Sequence, residues 1–228
     1  MDLKANLMAV RERMARAAER VGRSPDEILL VAVSKTVEVD RIRQAIEAGV
    51  TALGENRVQE AKEKIKILGR PVPWHLIGPL QTNKVKDALA LFDLIHSVDR
   101  PSLAQELDRR ARATGKRARV LVELNLAHEP TKSGVAVDEF KPLMELLANC
   151  EGLEVVGLMA IPPAEADPEA SRPWFRRLRE LRESAESWGL PRIKLHELSM
   201  GMSHDFEVAI EEGATMVRVG TAIFGPRS

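Results

Sequence analysis

Short apolar runs alternate with amphipathic stretches along the chain, and this alternation predicts its fold. Eight of the runs have the length and composition of buried strands: residues 28–33, 51–53, 74–77, 94–98, 119–124, 153–158, 194–198 and 215–219. The stretches around them have helical periodicity: residues 3–21, 38–48, 57–68, 83–91, 101–114, 138–148, 173–188 and 205–212. Glycines follow many of the helices, as expected of helix C-caps: Gly22, Gly49, Gly115, Gly189 and Gly213.

Regular alternation of strand and helix predicts a parallel sheet in an α/β fold. Eight units in 228 residues match the size of a (β/α)8 TIM barrel, with the helix over 3–21 as an extra N-terminal element. A doubly wound open sheet is the alternative. No linker divides the chain, so we expect one domain over residues 1–228.

Composition and charge narrow the classes of function. The chain has 34 Lys plus Arg and 34 Asp plus Glu, and this zero balance argues against a nucleic-acid partner. The single cysteine, Cys150, allows no internal disulfide and fits a reducing, cytoplasmic setting. No signal peptide is visible, and no apolar run approaches the ~20 residues of a membrane span. The chain contains no tyrosine, which excludes any mechanism that uses a phenol of this chain.

Lys35 follows the apolar run 28–33 directly after Ser34. Alternation places it on the same strand face as Val31 and Val33, so it points into the barrel mouth if those two face inward. A lysine amine in such a place is a candidate nucleophile for a carbonyl carbon. A lysine that snorkels from a strand end is the equally open alternative.

Two small-residue segments follow the last two strands, where barrels of this type frequently bind phosphate. The segment 199–203 offers hydroxyls and backbone N–H groups before a helix, and Gly220 and Thr221 follow the last strand. We therefore predict a phosphate site here. Ser203 alone is also a candidate N-cap for the helix that follows.

Arg218 lies opposite Val217 and Val219 on the last strand, so it points inward if they point outward. A buried arginine needs acceptors. An internal ion pair with Glu123 or Glu197 is one interpretation, and a hydrogen bond to a ligand is the other.

Other polar residues carry weaker signals. The five histidines show no metal-ligand spacing, so we predict no metal site. Lys62, Lys64 and Lys66 are interpreted as a solvated helix face.

Several segments, taken together, resemble the pyridoxal phosphate (PLP) homeostasis proteins. They are VSKT at 33–36, GENRVQE at 54–60, HLIGPLQTNK at 75–84, LSMGMS at 198–203 and VRVGTAIFG at 217–225. The resemblance covers almost the whole chain, in order. It implies a barrel similar to the N-terminal domain of alanine racemase, without the second domain of the racemase.

The resemblance also implies roles for individual residues. Lys35 would hold PLP as an internal aldimine, Asn56 would lie near the pyridine hydroxyl, and Arg218 would face the pyridine nitrogen. The phosphate would be lined by Ser199, Gly201, Ser203, Gly220 and Thr221. The resemblance further implies that the chain carries cellular PLP, so apo forms of PLP-dependent enzymes are the expected partners.

Several functions remain open from the residues. The first is a monomeric, non-catalytic PLP carrier with no catalytic residue of its own. The second is an enzyme: a PLP-dependent racemase or decarboxylase, or an aldolase that attaches a phosphosugar to a lysine. The third is a sensor that passes a ligand signal to a protein partner. Racemisation needs a base on each face of the substrate, and the missing tyrosine removes the base that similar racemases use.

Overall fold

A computed structural model describes residues 2–226 of the chain, so the ends of the predicted domain span lie outside the described residues. Eight parallel strands pair in chain order and close into a barrel, which confirms the barrel and rules out the open sheet. The strands are β1 (Leu29–Val33), β2 (Leu53–Glu55), β3 (Trp74–Leu76), β4 (Leu94–Val98), β5 (Ala118–Leu124), β6 (Leu153–Ala160), β7 (Ile193–Met202) and β8 (Met216–Val219).

Helices connect the strands and form the outer layer. They are α1 (Leu3–Arg20), α2 (Val39–Glu47), α3 (Val58–Leu68), α4 (Val85–Leu91), α5 (Pro101–Ala113), α6 (Val137–Leu147), α7 (Arg172–Glu186), α8 (Phe206–Glu211) and α9 (Thr221–Phe224). Short 3-10 helices span Pro25–Glu27, Thr82–Lys84 and Pro168–Ser171. Across residues 2–226, no helix is both long enough and apolar enough to cross a membrane.

The extra N-terminal helix is present as α1, and it packs against α8 and α9. Asp2 caps its start by accepting a hydrogen bond from the Lys4 N–H, and its inner face buries Leu7, Val10 and Met14. Because α9 follows β8 directly, α1 braces the segment that ends the barrel.

The largest difference from the predicted elements is the length of β7. The strand continues through Ser199 to Met202, where a loop was expected. Its register with β8 shifts between Ser199 and Met202, and Gly201 there has φ +90°. A bulge of this kind bends a strand at a barrel rim, and only glycine adopts this backbone without strain.

Side chains alternate between two cores. Leu30 and Ala32 belong to the large core between sheet and helices, whereas Leu29 packs inside the barrel. The inner core consists of Leu94, Leu121, Val156, Met159 and Met216. Its small size leaves several other inward positions for polar side chains.

We expect Leu121→Ala to lower the free energy of unfolding by about 2–5 kcal/mol, because Leu121 is fully buried inside a closed barrel that cannot collapse onto the cavity. Ile67→Ala is the control, since Ile67 is 63% exposed and should change stability by less than about 0.5 kcal/mol. Urea unfolding followed by circular dichroism measures both. Equal unfolding midpoints for the two variants would contradict this account of the inner core.

Candidate ligand-binding site at the barrel mouth

The strand register gathers most of the predicted site residues at the carboxyl ends of β7, β8, β1 and β2. Arg218 pairs with Val31 on β1 and with Met202 on β7, and Val33 pairs with Gly54 on β2. Two residues beyond that last pair lie Lys35 and Asn56. The ends of four adjacent strands therefore bring an amine, an amide and a guanidinium to the barrel mouth.

Lys35 follows Ser34, whose side chain points out of the barrel. The Ser34 hydroxyl donates to Glu55 Oε1 at 2.7 Å, on the side of the sheet that faces α3. Because side chains alternate, Lys35 belongs to the inner face together with Val31 and Val33. Its side chain is half-buried, whereas Ser34 is fully buried. The predicted orientation of Ser34-Lys35 thus agrees with the observed pairing.

Asn56 lines a cavity of about 200 Å³ at the mouth together with Glu123, Asn125 and Lys132. Backbone packs closely beside it: a Cβ on Gly78 would lie 2.4 Å from the Asn56 carbonyl oxygen. The glycine therefore allows the ends of β2 and β3 to approach each other.

Arg218 is buried inside the barrel, with only 3% of its surface exposed. Its Nη1 donates to Ser199 Oγ at 2.6 Å, and its Nη2 donates to the Ala160 carbonyl at 3.0 Å. The acceptors are thus a hydroxyl and a carbonyl, not the Glu123 or Glu197 carboxylate considered from the sequence. Burial lowers the pKa of Arg218 to about 10, although the negative charges of Glu123 and Asp205 partly raise it again. The guanidinium is therefore charged at neutral pH.

Two histidines extend the hydrogen bonds of Arg218 across the barrel. Ser199 Oγ lies 2.9 Å from His96 Nδ1, and His96 Nε2 lies 3.1 Å from His75 Nδ1. One consistent set of tautomers has Ser199 donating to His96 and His96 donating to His75. Burial lowers the pKa of His75 to about 4 and that of His96 well below its usual value, so both rings are neutral at pH 7.

Glu123 is a buried carboxyl at the mouth with a strongly shifted pKa. Burial raises the pKa of this carboxyl to about 7; the charge of Asp99 adds to the increase and Arg218 opposes it. A buried carboxyl with a pKa near 7 can hold or release a proton under cellular conditions.

The two segments predicted to bind phosphate are hydrogen-bonded to each other. Ser203 Oγ accepts from the N–H groups of Gly220 and Ala222, both at 3.3 Å. Asp205, not Ser203, is the N-cap residue of α8, so the N-cap expected at Ser203 is wrong. Thr221 is exposed next to Gly220, and a Cβ on Gly220 would lie 3.3 Å from the Val33 carbonyl oxygen. The loop after β8 therefore lies close beside the end of β1.

The structure corrects the interpretation of one lysine. Lys64, interpreted as part of a solvated face, is 7% exposed and forms ion pairs with Glu55 and Glu60, so that interpretation is wrong for Lys64. Its four-residue spacing from Glu60 was the available signal. Among residues 2–226 there is no group of three or more His, Cys, Asp and Glu side chains that could hold a metal.

Larger cavities lie at the opposite end of the barrel. One of about 550 Å³ is lined by basic residues that include Arg70, Lys86, Arg117 and Arg119. The mouth remains the better candidate, because buried polar side chains converge there and catalytic or binding residues of such barrels lie at the carboxyl ends of the strands.

The alanine racemase N-terminal domain family matches residues 5–228. The fold and the family together define a barrel of the alanine racemase type. Solved alanine racemase from Clostridium difficile has the same fold, with 18% identity and a TM-score of 0.74; the match covers 99% of this chain and 56% of the racemase.

More similar proteins define a narrower group. The pyridoxal phosphate homeostasis protein of Aquifex aeolicus is 46% identical over 228 residues, which is 100% of this chain and 99% of the relative. The protein of that name from Escherichia coli strain K12 is 41% identical over 99% of this chain and 97% of its own length. PipY of Synechococcus elongatus, solved with PLP bound, is 34% identical with a TM-score of 0.86, over 98% of this chain and 100% of PipY. The chain belongs to the family of pyridoxal phosphate homeostasis proteins.

The depressed pKa of His75 predicts a pH-dependent stability. As pH falls from about 6.5 towards 4, the unfolded chain binds a proton at His75 and the folded protein does not. The free energy of unfolding therefore falls, by up to ~1.4 kcal/mol per pH unit, relative to a variant without this group. Urea unfolding of the wild type and of His75→Gln at several pH values measures the difference, in which titrating groups that do not interact with His75 cancel. A difference that stays constant with pH would contradict the assignment.

Proposed function

We propose that this chain binds PLP reversibly through Lys35 and carries or buffers it without catalysing a reaction of its own. The observation that carries the proposal is the buried, charged Arg218 on β8, the strand next to β1, which Lys35 follows by two residues. The names of the relatives and the PLP-bound PipY structure support the choice of ligand.

The residues at the mouth fit the three parts of PLP. Lys35 supplies an amine for the aldehyde, Asn56 an amide for the ring hydroxyl, and Arg218 a donor for the ring nitrogen. When bound, PLP supplies an aldehyde that an amine can hold covalently and a ring that withdraws electrons if its nitrogen is protonated.

The end of β7 and the linked segments that follow β7 and β8 fit the phosphate. Gly201, Ser203, Gly220 and Thr221 combine close backbone packing with hydroxyl groups. A Cβ on Gly201 would lie 2.5 Å from Ala209 Cβ, so the bend at the end of β7 has no room for a side chain. The Ser199 hydroxyl already contacts Arg218 and His96, and we expect it to act on the ligand mainly through Arg218.

Arg218 also argues for a carrier rather than an enzyme. A guanidinium that stays charged at neutral pH disfavours a proton on a ring nitrogen beside it, because two positive charges would then lie together. Ser199 and the Ala160 carbonyl hold the guanidinium in place, so it cannot easily turn away. An unprotonated ring withdraws electrons weakly, which disfavours the removal of a substrate proton.

The missing tyrosine and the engaged histidines also favour a carrier over an enzyme. It has no tyrosine, and His75 and His96 are engaged with each other and with Ser199 inside the barrel. Glu123 also lies at the mouth, and its raised pKa would allow it to exchange a proton there, so it is included in the test of catalysis below. A second base aimed at the face of a substrate opposite Lys35 is therefore not provided by these histidines.

Reduction with borohydride after incubation with PLP should attach the pyridoxyl group irreversibly to Lys35. Peptide mapping by mass spectrometry locates the label, and Lys35→Ala should abolish it. Lys132→Ala is the matched control, because Lys132 lines the neighbouring cavity and should not be required. A label found on Lys84 or Lys132 of the wild type would refute the assignment of Lys35.

The PLP-loaded protein should not exchange the α-deuteron of deuterated alanine at enzymatic rates, which are on the order of 1–1000 per second. NMR follows the loss of the deuteron over hours. Exchange at such a rate that disappears in Lys35→Ala would establish an enzyme, and Glu123→Gln would then test whether Glu123 is its second base.

A further inference from the structure

On the outer side of the sheet, between α3 and the carboxyl ends of β1 and β2, a buried charged cluster is centred on Lys64. We propose that this cluster, formed by Ser34, Glu55, Glu60 and Lys64, positions Lys35 for covalent attachment of PLP by fixing the backbone on both sides of it. The inference rests on the proposed role of Lys35 and adds positioning residues that do not touch the ligand.

Lys64 holds the residue before Lys35. Its Nζ donates to the Ser34 carbonyl at 2.6 Å, to Glu55 Oε1 at 2.7 Å and to Glu60 Oε1 at 2.7 Å. The Ser34 hydroxyl donates to the same Glu55 oxygen at 2.7 Å. The carbonyl and hydroxyl groups of Ser34 thus both form hydrogen bonds with the Lys64–Glu55 ion pair, which links α3 to β2.

Glu60 holds the residue after Lys35. The Thr36 N–H donates to Glu60 Oε1 at 2.5 Å, the same oxygen that accepts from Lys64. Thr36 has φ +61°, a left-handed conformation that is unfavourable for a β-branched residue and persists only where the surroundings enforce it. The hydrogen bond that the Thr36 N–H donates to Glu60 supports this turn, together with the one from the Val37 N–H to the Ser34 carbonyl at 3.0 Å.

Lys64 itself is not a candidate for ligand attachment. Its Nζ is engaged with three acceptors, the Ser34 carbonyl and the carboxylates of Glu55 and Glu60, on the outer side of the sheet. Its side chain is 8% exposed and lies behind the strands, on the α3 side.

The cluster is also not the arrangement that stability alone would favour. Glu55 is fully buried, and its Oε2 has no hydrogen-bond partner in the described part of the chain. Burial of an ion pair costs desolvation, and a well-packed apolar replacement is often equally stable. A role in fixing the residues on either side of Lys35 explains why charged side chains are buried at this place.

Stopped-flow absorbance measures how fast apo-protein attaches PLP, and pyridoxine 5′-phosphate provides the matched probe. It shares the ring and phosphate of PLP but has an alcohol instead of the aldehyde, so it cannot react with Lys35. The variants are Lys64→Met and Glu60→Ala. Glu60→Ala removes the carboxylate that accepts from the Thr36 N–H, and it is the milder change because the Glu60 side chain is 26% exposed. Lys62→Met is the control on the same helix, since the Lys62 side chain is 51% exposed.

Both cluster variants should attach PLP about ten- to a hundredfold more slowly, because small displacements of a reacting group have effects of this size. They should bind pyridoxine 5′-phosphate within about twofold of the wild type, and Lys62→Met should match the wild type for both ligands. Attachment at the wild-type rate in both cluster variants would overturn the inference. Equal losses for both ligands, with a lower thermal midpoint, would also overturn it, because the role would then be only structural. A wild type that never attaches PLP at Lys35 would instead overturn the proposed function itself.

Discussion

The alternation of side chains along the first strand is the constraint on which the site depends. In a closed barrel, each successive residue points either into the barrel or towards the helices, so a shift of one residue would exchange the two sets. Ser34 points outward to Glu55, and Lys35 therefore belongs to the inner face. The register with β8 and β2 then determines which side chains lie beside Lys35. Lys35 acquires its chemical surroundings from this pairing and not from its neighbours in sequence.

Charge inside the barrel is arranged around one buried cation. Arg218 has lost most of its hydration, and Ser199 and the Ala160 carbonyl replace part of it. The positive charge also lowers the pKa of His96, which is already depressed by burial, so the interior holds few competing cations. A site with a buried guanidinium and neutral histidines favours an anionic ligand. The phosphate and ring of PLP are consistent with this positive electrostatic environment.

Parts of this arrangement follow directly from sequence. Lys35 and Arg218 each adjoin apolar strand residues, and the period of two places both on the inner face. Lys64 was missed because lysines at three alternate positions, from Lys62 to Lys66, look like a solvated helix face. Only packing of α3 against β1 and β2 shows that the middle lysine is buried. The interaction depends on Ser34, 30 residues away, and no local pattern reports it.

The extent of β7 and the buried histidine pair were also beyond local patterns. Ser199 was expected in a loop, but the strand continues past it because a bulge at Gly201 absorbs the bend. His75 and His96 meet only because β3 and β4 are neighbours in the barrel. Each histidine lies among apolar strand residues, and this was the one available sign that its ring is buried.

A crystal structure of the chain with PLP tests most directly whether the mouth formed by β7, β8, β1 and β2 is the binding site. We expect density continuous with Lys35 Nζ, with the ring nitrogen towards Arg218 and the phosphate against the linked segments that contain Ser203 and Gly220. Ligand density in the basic cavity at the opposite end of the barrel, near Arg117 and Arg119, with Lys35 unattached, would contradict it.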